Sequence, residues 1–497
     1  MQQPQPGLRG GARAAVWQGF AGSVLMLLGS LGVGWLAGSS QLIRTPLFIV
    51  ARTTPAAVIT ATVFLCLGFI LMLRAWLLLY RALRGWDATT RPVLLKALAL
   101  WTAPLMVTLP LFSRDSYAYI GQGRLMLQGL DPYTNGISAL NNYYSLGPDT
   151  LWTEAPTPYG PLFLWLEQGA VWLSHGSPEL ALIPFRLASL AGVVLLAVYV
   201  PKLAALYGFS PQRALWLGVL NPVLLLNFIG SVHNDSLMMG LVVAGIYFAS
   251  VKRPVWGIVL VTASLAIKPI TLIALPFVGL LWAGRDATWP RKFGLWAATL
   301  AISMGIMLAA GVVNGLGFGW LAALQTPGTV WIWYAPVGLA AHVLGFATDL
   351  FGGPGAGVTG VLQTIGQGAS ILIVMALALV PVKPGRHPYA RDVVRRMTWA
   401  FAAVVVLAPM IQPWYMVWLL VFFTTTGVRD GGQLRVVFYL TAFFTLIALT
   451  DQLSVFPWIP MVAVRVVAIV VGVLCAGYVM FFDKATRGLF VPSRESA

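Results

Sequence analysis

Long apolar runs with almost no charged side chains dominate the chain, and they constrain its fold more than any other feature. Only 9% of the residues are charged, whereas soluble domains carry about 25%. A run of about 18 or more such residues can cross a bilayer as a helix, because a helix satisfies its own backbone hydrogen bonds. The sequence therefore predicts an all-α, polytopic membrane protein and excludes a string of soluble domains.

The apolar windows predict about 14 transmembrane helices, within a range of 13 to 15. They lie at 15–38, 56–80, 93–112, 179–201, 212–230, 234–251, 254–268, 270–284, 291–314, 356–381, 394–409, 411–428, 435–451 and 459–482. Two further apolar stretches, 159–174 and 335–350, are expected to be interfacial or re-entrant. The predicted organisation is a cytoplasmic tail (1–14), one transmembrane domain (15–482) and a second cytoplasmic tail (483–497).

The basic residues give the orientation. The chain has 31 Lys and Arg residues against 15 Asp and Glu residues, a formal charge of +16. With the N-terminus in the cytoplasm, 23 of the 31 fall on the cytoplasmic side and four fall outside, as the positive-inside rule requires. We therefore expect a multi-pass plasma-membrane protein with both termini in the cytoplasm. The excess charge then needs no nucleic acid as a partner; the expected partner is membrane lipid.

Acidic residues collect on the opposite side, mainly in a long external loop at 113–178. Nine of the 15 carboxylates fall outside or at outer span ends. The loop is expected to carry interfacial helices near 116–130 and 159–174, and a second external segment covers 315–355. Asp115 directly follows the third span, where a partly desolvated carboxylate could act as a general base. The alternative is that Ser113 or Asp115 caps the helix that follows.

Four cations lie inside apolar spans, which is costly unless they have a function. Arg74 is near the inner end of its helix and is expected to snorkel. Arg186, Lys268 and Arg465 are all expected near the outer ends of their helices. Together they could bind the phosphate of a lipid substrate. The alternative is that they snorkel towards water or pair with nearby acids.

Further polar and aromatic residues at the outer surface are candidates for binding a sugar or an acceptor. They are Tyr117, Asp131, Glu154, Tyr159, His233, Asn234, Asp235, Gln412, Trp414 and Tyr415. The His-Asn-Asp turn could instead cap the next helix, and the two aromatic residues after Gln412 could belong to an interfacial belt. No group of residues has the spacing of metal ligands, and no cofactor is identified. The free acidic residues on the outer side could still bind a divalent cation.

Six motifs in a fixed order carry a resemblance to a known family. They are SRDSYAYIGQG (113–123), GLDPY (129–133), PTPYGPLFLWL (156–166), SVHNDSLMMG (231–240), LAIKPITLIALPF (265–277) and QPWYMVW (412–418). The chain resembles the GT-C glycosyltransferases and, within them, the actinobacterial polyprenol-phosphate-mannose-dependent α-1,6-mannosyltransferases of the MptA/MptB type. The resemblance runs from about residue 100 to residue 420.

This resemblance implies a GT-C fold and an inverting transfer of mannose. The donor would be polyprenyl-phosphate-mannose, and the acceptor an α-1,6-mannan glycolipid of lipomannan or lipoarabinomannan at the outer membrane face. In this family the acid that opens the first external loop is the base, and it maps to Asp115. Other readings remain: a GT-C enzyme with another polyprenyl-phosphate sugar or with a phosphatidylinositol mannoside or arabinan acceptor, or a lipid or solute transporter.

Overall fold

The computed structural model describes residues 6–324, 331–383, 385, 387–451, 453–455 and 459–491. Helices account for most of these residues, and the described part of the chain contains no β-strand. The fold is built around two closely packed helix pairs. One pair is α1 (Pro6–Val33) and α3 (Pro55–Ala82), and the other is α7 (Pro178–Leu206) and α10 (Asp235–Ser250). The predicted all-α class is thus confirmed.

The other helices up to residue 283 follow in the N-terminal part of the chain. They are α2 (Pro46–Thr53), α4 (Thr90–Leu105), α5 (Asp115–Leu127), α6 (Pro161–Leu173), α8 (Pro211–Ala214), α9 (Pro222–Leu225), α11 (Pro254–Leu265) and α12 (Leu275–Ala283). Two π-helical turns, Leu215–Val219 and Leu226–Gly230, extend α8 and α9, and a 3₁₀ turn at Pro269–Ala274 precedes α12.

The C-terminal half contains the remaining helices. They are α13 (Trp289–Val313), α14 (Pro336–Leu350), α15 (Gly355–Leu379), α16 (Tyr389–Leu407), α17 (Pro413–Thr426), α18 (Gly432–Asp451), α19 (Met461–Gly477) and α20 (Arg487–Phe490). Two of these, α14 and α17, begin with proline at the first helical position, where the missing N–H costs nothing.

Seven helices among the described residues are long and apolar enough to cross a membrane. They are α1 from Gly10, α3, α7, α13, α15, α18 up to Thr450 and α19 with its extension to Phe482. A bent pair, Pro211–Val219 and Pro222–Gly230, meets at 52° and gives an eighth candidate. These helices fit a multi-pass membrane protein. The other six predicted windows, centred on α4, α10, α11, α12, α16 and α17, are helical but shorter or more charged than a full span.

The interfacial helices predicted in the loops are present as helices. The stretch 116–130 contains α5, 159–174 contains α6 and 335–350 contains α14. The adjacent windows 254–268 and 270–284 form two short helices, because the chain breaks at Lys268 before Pro269 begins the 3₁₀ turn. Proline at that position ends the hydrogen-bonded ladder of the preceding helix.

Two strained residues position the turns that lead into the site. Phe112 and Val232 have φ values of +60° and +61°, a conformation that bulky and β-branched residues rarely adopt. The two turns are joined directly, because the Leu111 N–H donates a 3.0 Å hydrogen bond to the Gly230 carbonyl. Such strain persists where surrounding packing enforces it, and it clusters at functional sites.

Candidate active site

Asp115 is the first residue of α5, and the helix presents one face to a cavity. The Ser113 hydroxyl accepts a 3.1 Å hydrogen bond from the Asp115 N–H. The N-cap residue of α5 is Arg114, whose side chain makes no capping bond, so neither Ser113 nor Asp115 is the N-cap. Asp115, Ala118 and Gln122 all line the cavity, and their spacing of three and four residues puts them on one side of a helix. The small side chain of Ala118 leaves space beside the carboxylate.

The cavity has a volume of about 320 Å³ and lies between the loop at 113–178, the break at Lys268 and the start of α17. Six of the residues predicted for the site are on its wall: Asp115, Tyr159, Lys268, Gln412, Trp414 and Tyr415. The segment before α14 contributes Trp331 and Ile332. Residues far apart in the sequence therefore meet at one place.

His233 lies behind Asp115. Its Nδ1 atom is 3.3 Å from Asp115 Oδ2, and its side chain is fully buried while that of Asp115 is 17% exposed. The imidazole also lies against the ring of Trp414, with the ring centres 3.9 Å apart. His233 is thus packed between the carboxylate and an aromatic residue of the cavity wall, and it does not line the cavity itself.

These neighbours keep Asp115 ionised. Burial alone would raise the pKa of Asp115, but the imidazole of His233, the charge of Lys268 and the hydroxyl of Ser113 together hold this pKa below its ordinary value. Hydrogen bonding and opposite charge favour the carboxylate form. Asp115 is therefore deprotonated at neutral pH and able to accept a proton.

Lys268 forms the second charged feature of the cavity. Its Nζ atom lies 3.0 Å from both carboxylate oxygens of Asp235, and the two side chains are 12% and 1% exposed. Three aromatic rings surround the ammonium, with Tyr415 and Trp418 centred 5.5 Å away and Tyr159 6.0 Å away. Aromatic faces stabilise a partly desolvated cation.

The loop at 113–178 is attached to the backbone beside Lys268. The Gly160 N–H donates to the Ile267 carbonyl at 2.9 Å, and the N–H groups of Leu162 and Phe163 donate to the Ala266 carbonyl at 2.9 and 3.1 Å. A Cβ atom on Gly160 would lie 2.5 Å from the Ala266 carbonyl, so only glycine permits this approach. The contact brings Tyr159 to the cavity next to Lys268.

Comparison with known proteins identifies the family. Residues 16–284 match the model of the alpha-(1→6)-mannopyranosyltransferase N-terminal domain, and residues 335–477 match the MptB C-terminal domain. The chain belongs to the alpha-(1→6)-mannopyranosyltransferase family. The expected MptA/MptB resemblance is thereby confirmed.

Two relatives of this family come from Mycobacterium tuberculosis. An alpha-(1→6)-mannopyranosyltransferase is 31% identical over 479 residues, covering 84% of this chain and 79% of the relative. Alpha-(1→6)-mannopyranosyltransferase A is 33% identical over 412 residues, covering 80% of this chain and 78% of the relative. No solved structure matches the chain.

Both family domains contribute to the cavity. Asp115 and Lys268 lie in the N-terminal family domain, whereas Gln412, Trp414 and Tyr415 lie in the C-terminal one. The charged groups therefore come from one domain, and an aromatic wall comes from the other.

Two predicted phosphate ligands lie away from this cavity. Arg186 is buried in α7, and its guanidinium donates to the carbonyls of Leu105 at 2.9 Å, of Ile229 at 3.3 Å and of Thr108. These bonds tie α7 to the end of α4 and to the π-helical turn before His233. Arg465 is exposed on α19, and neither arginine lines the cavity.

The remaining predicted residues surround the cavity wall without forming it. The Tyr117 hydroxyl donates to the Trp35 carbonyl at 2.8 Å, and Asp131 accepts from the Tyr133 N–H at 2.8 Å. Glu154 accepts from the Ser138 hydroxyl at 2.9 Å. Asn234 is buried, and neither its side-chain oxygen nor its nitrogen has a hydrogen-bond partner among the described residues.

Sequence reasoning missed several residues of the wall. They are Arg114, Gln122, Asp149, Trp152 and Met410. Gln122 could have been found, because it lies seven residues after Asp115 on the same helical face. Arg114 is adjacent to Asp115 and packs over the Trp35 ring at 3.8 Å. Asp149 and Trp152 come from irregular loop, where spacing gives no direction.

The described residues contain no cluster of ligands for a divalent cation. Across residues 6–324 and the later described segments, no three His, Cys, Asp or Glu side chains form a group that could hold a metal ion. The chemistry derived below uses only the chain's own side chains.

Proposed function

We propose that this chain is an inverting GT-C mannosyltransferase that moves mannose from polyprenyl-phosphate-mannose to an α-1,6-mannan acceptor of lipomannan or lipoarabinomannan. The observation that carries the proposal is one cavity with an ionised carboxylate, Asp115, and an ammonium, Lys268, on its wall. An inverting transfer needs a base for the acceptor and a positive group for the departing phosphate. Membership of the mannopyranosyltransferase family supports mannose as the sugar.

In the proposed reaction Asp115 accepts the proton of the acceptor's 6-hydroxyl as its oxygen attacks the anomeric carbon of mannose. The bond from that carbon to the phosphate oxygen breaks, and the electron pair leaves with the polyprenyl phosphate. Lys268 stabilises the negative charge that develops on the phosphate. The attack from the opposite face converts a β-linked mannosyl phosphate into an α-1,6 linkage.

A second, apolar cavity supports a lipid-linked donor. It has a volume of about 120 Å³, and its wall consists of Pro158, Lys268, Pro269, Ile270, Val404, Val405, Ala408, Met410, Tyr415 and Trp418. Four of these residues, including Lys268, also line the larger cavity. A donor with its phosphate at Lys268 would place its sugar in the larger, more polar cavity and its isoprenoid chain in the apolar cavity.

Aromatic residues supply surfaces on which sugar rings can pack. Trp152, Tyr159, Trp331, Trp414 and Tyr415 lie around the larger cavity. Gln122 and Gln412 add amide groups that can bind sugar hydroxyls. This composition suits a carbohydrate better than a compact inorganic anion.

The proposed location is the outer face of the plasma membrane. Of the basic residues outside the spans, 23 fall on one side of the membrane and four on the other. This difference supports cytoplasmic termini and an external loop at 113–178. A lipid-linked donor also suits this side, since it needs no nucleotide. The proposal retains the short helices α4, α10, α11, α12, α16 and α17 as parts of a bundle of about 14 membrane-inserted segments.

The test is donor selection by the purified protein in nanodiscs with an α-1,6-dimannoside acceptor. We expect radiolabel to move from polyprenyl-phosphate-mannose to a trisaccharide with an α-1,6 linkage, and not from polyprenyl-phosphate-arabinofuranose or a nucleotide mannose. Transfer from either of the other donors at an equal rate would refute the assigned donor. Movement of the lipid between leaflets without a glycosidic product would instead support a transporter.

A further inference from the structure

An apolar groove runs along α17 and the residues just after it, from Met416 to Val428, beyond Trp414 and Tyr415, which line the candidate active site. Its volume is about 330 Å³. The wall consists of Asn221, Val223, Arg395, Trp399, Met416, Val417, Leu419, Leu420, Phe423, Gly427, Val428, Gln433, Val436, Val437, Leu440, Thr441 and Phe444. Val436 and Leu440 are 55% and 37% exposed, so the groove is open on the lipid side.

The face of α18 that lines the groove is about as long as one leaflet is thick. The six residues from α18 between Gln433 and Phe444 recur at intervals of one, three or four, which is one face of a helix. At 1.5 Å per residue this face is about 17 Å long. Half of a hydrocarbon core of about 30 Å is of similar length. One extended acyl chain fits this dimension.

A cation marks one end of the groove. Arg395 lines it, and within the described part of the chain no acid lies within ion-pair distance of its guanidinium. The nearby Asp430 pairs with Arg213 at 2.8 Å.

Two further arginines make this end strongly positive. Arg391 interacts electrostatically with Arg395 and Arg429, against one acid, Asp392. Arg391 is itself occupied, since its guanidinium donates to the Thr426 carbonyl and lies 4.8 Å from the Phe209 ring centre. Arg395 is therefore the arginine on the groove wall that is available to an anion.

The charged end and the candidate active site lie on opposite sides of the bundle. Trp414 and Tyr415 at the start of α17 face the site, whereas Gly427 just beyond its end lines the groove. The 14 residues of α17 span about 21 Å. A ligand with its phosphate at Arg395 thus belongs to the opposite leaflet from a donor at Lys268.

We propose that this groove is a binding site for an anionic phospholipid of the leaflet next to the α17–α18 turn. One acyl chain lies along α18, and the phosphate of the headgroup contacts Arg395. Charge complementarity selects an anionic lipid over a zwitterionic one, because basic residues at a membrane surface attract anionic headgroups. This site does not depend on the proposed mannosyl transfer.

Native mass spectrometry of the full chain, released from mixed phosphatidylglycerol and phosphatidylcholine vesicles, tests the proposal. We expect the wild type to retain phosphatidylglycerol in preference to phosphatidylcholine. Arg395→Gln should lower the retained phosphatidylglycerol by about fivefold, the effect of about 1 kcal/mol per basic residue at an anionic surface. Equal retention of both lipids by the wild type, or unchanged retention by Arg395→Gln, would overturn the site.

Matched variants separate the groove from the general surface charge. Arg291→Gln removes one exposed charge at the start of α13, and we expect retention to stay at the wild-type level. Leu440→Trp fills the groove and should displace the lipid, whereas Val466→Trp adds the same bulk to the exposed face of α19 and should not. Equal effects of the two tryptophan variants, at equal thermal stability, would contradict the assigned groove.

Discussion

The Nδ1 atom of His233 lies 3.3 Å from Oδ2 of Asp115, and its ring packs against Trp414. His233 belongs to the turn before α10, so a second element orients the carboxylate on α5. Asp235, the first residue of α10, pairs with Lys268. The start of α10 and the turn before it therefore support both charged groups of the cavity.

Replacing His233 by Gln should weaken catalysis through Asp115. The imidazole lowers the pKa of Asp115, so its loss should raise that pKa and move the acidic limb of the pH–rate profile to higher pH. We expect kcat to fall by about tenfold, less than the loss of a base itself would cost. An unchanged acidic limb would contradict this role. The exposed His175 provides the control variant His175→Asn.

Lys268→Met should impair use of the donor. A charge-assisted contact to a phosphate contributes about 1.5–3 kcal/mol, so we expect kcat/KM for the donor to fall by about tenfold to 100-fold. Because this change leaves Asp235 buried without its cation, the double variant with Asp235→Asn should recover thermal stability but not donor use. Recovery of both would show that Lys268 has only a structural role.

Arg186→Met should destabilise the protein more than it affects the donor. The change leaves the carbonyls of Leu105, Thr108 and Ile229 without this donor. An unsatisfied buried polar group costs about 1–3 kcal/mol, so we expect a clear fall in Tm with donor KM almost unchanged in the folded fraction. An unchanged Tm with a raised donor KM would instead show that Arg186 binds the phosphate of the donor.

The buried carboxyl group of Glu167 should make the stability of the protein depend on pH. It is fully buried in α6, and neither carboxylate oxygen has a hydrogen-bond partner among the described residues. Burial raises the pKa of Glu167 well above its ordinary value. As pH rises above that ordinary value, the unfolded chain releases the proton while the folded protein retains it, so stability falls by about 1.4 kcal/mol per pH unit.

Glu167→Gln should remove this dependence. We expect the variant to have the higher Tm near neutral pH and to match the wild type near pH 4, as measured by thermal unfolding in detergent across that range. Glu154→Gln, a change at an exposed carboxylate, serves as the control. A glutamine variant that is less stable than the wild type at neutral pH would show that the carboxylate has a charged partner.

Sequence patterns predicted the membrane class, the helices α5, α6 and α14 and six residues of the cavity wall. These follow from local information: apolar length, helical spacing and polar residues next to a span end. The roles around the cavity were harder to predict. His233 and Asp235 looked like residues that contact a sugar, yet they lie behind Asp115 and Lys268, because tertiary packing decides which side of a turn faces the cavity.

Arg186 illustrates the same limit. Its depth in an apolar helix suggested a phosphate ligand, but depth alone does not separate an outward-facing cation from one that binds the free carbonyls of neighbouring helix ends. Hydropathy alone does not give the number of full spans either, because short helices such as α10 and α17 are as apolar as those long enough to cross a bilayer.

The central claim is that Asp115 is the base for mannosyl transfer, and its most direct measurement is turnover by Asp115→Asn at equal protein level. With polyprenyl-phosphate-mannose and an α-1,6-dimannoside, we expect kcat to fall by at least about 100-fold while Tm stays close to the wild type. Asp131→Asn, which keeps the turn and lies outside the cavity, should retain activity. Robust turnover by Asp115→Asn would contradict the account.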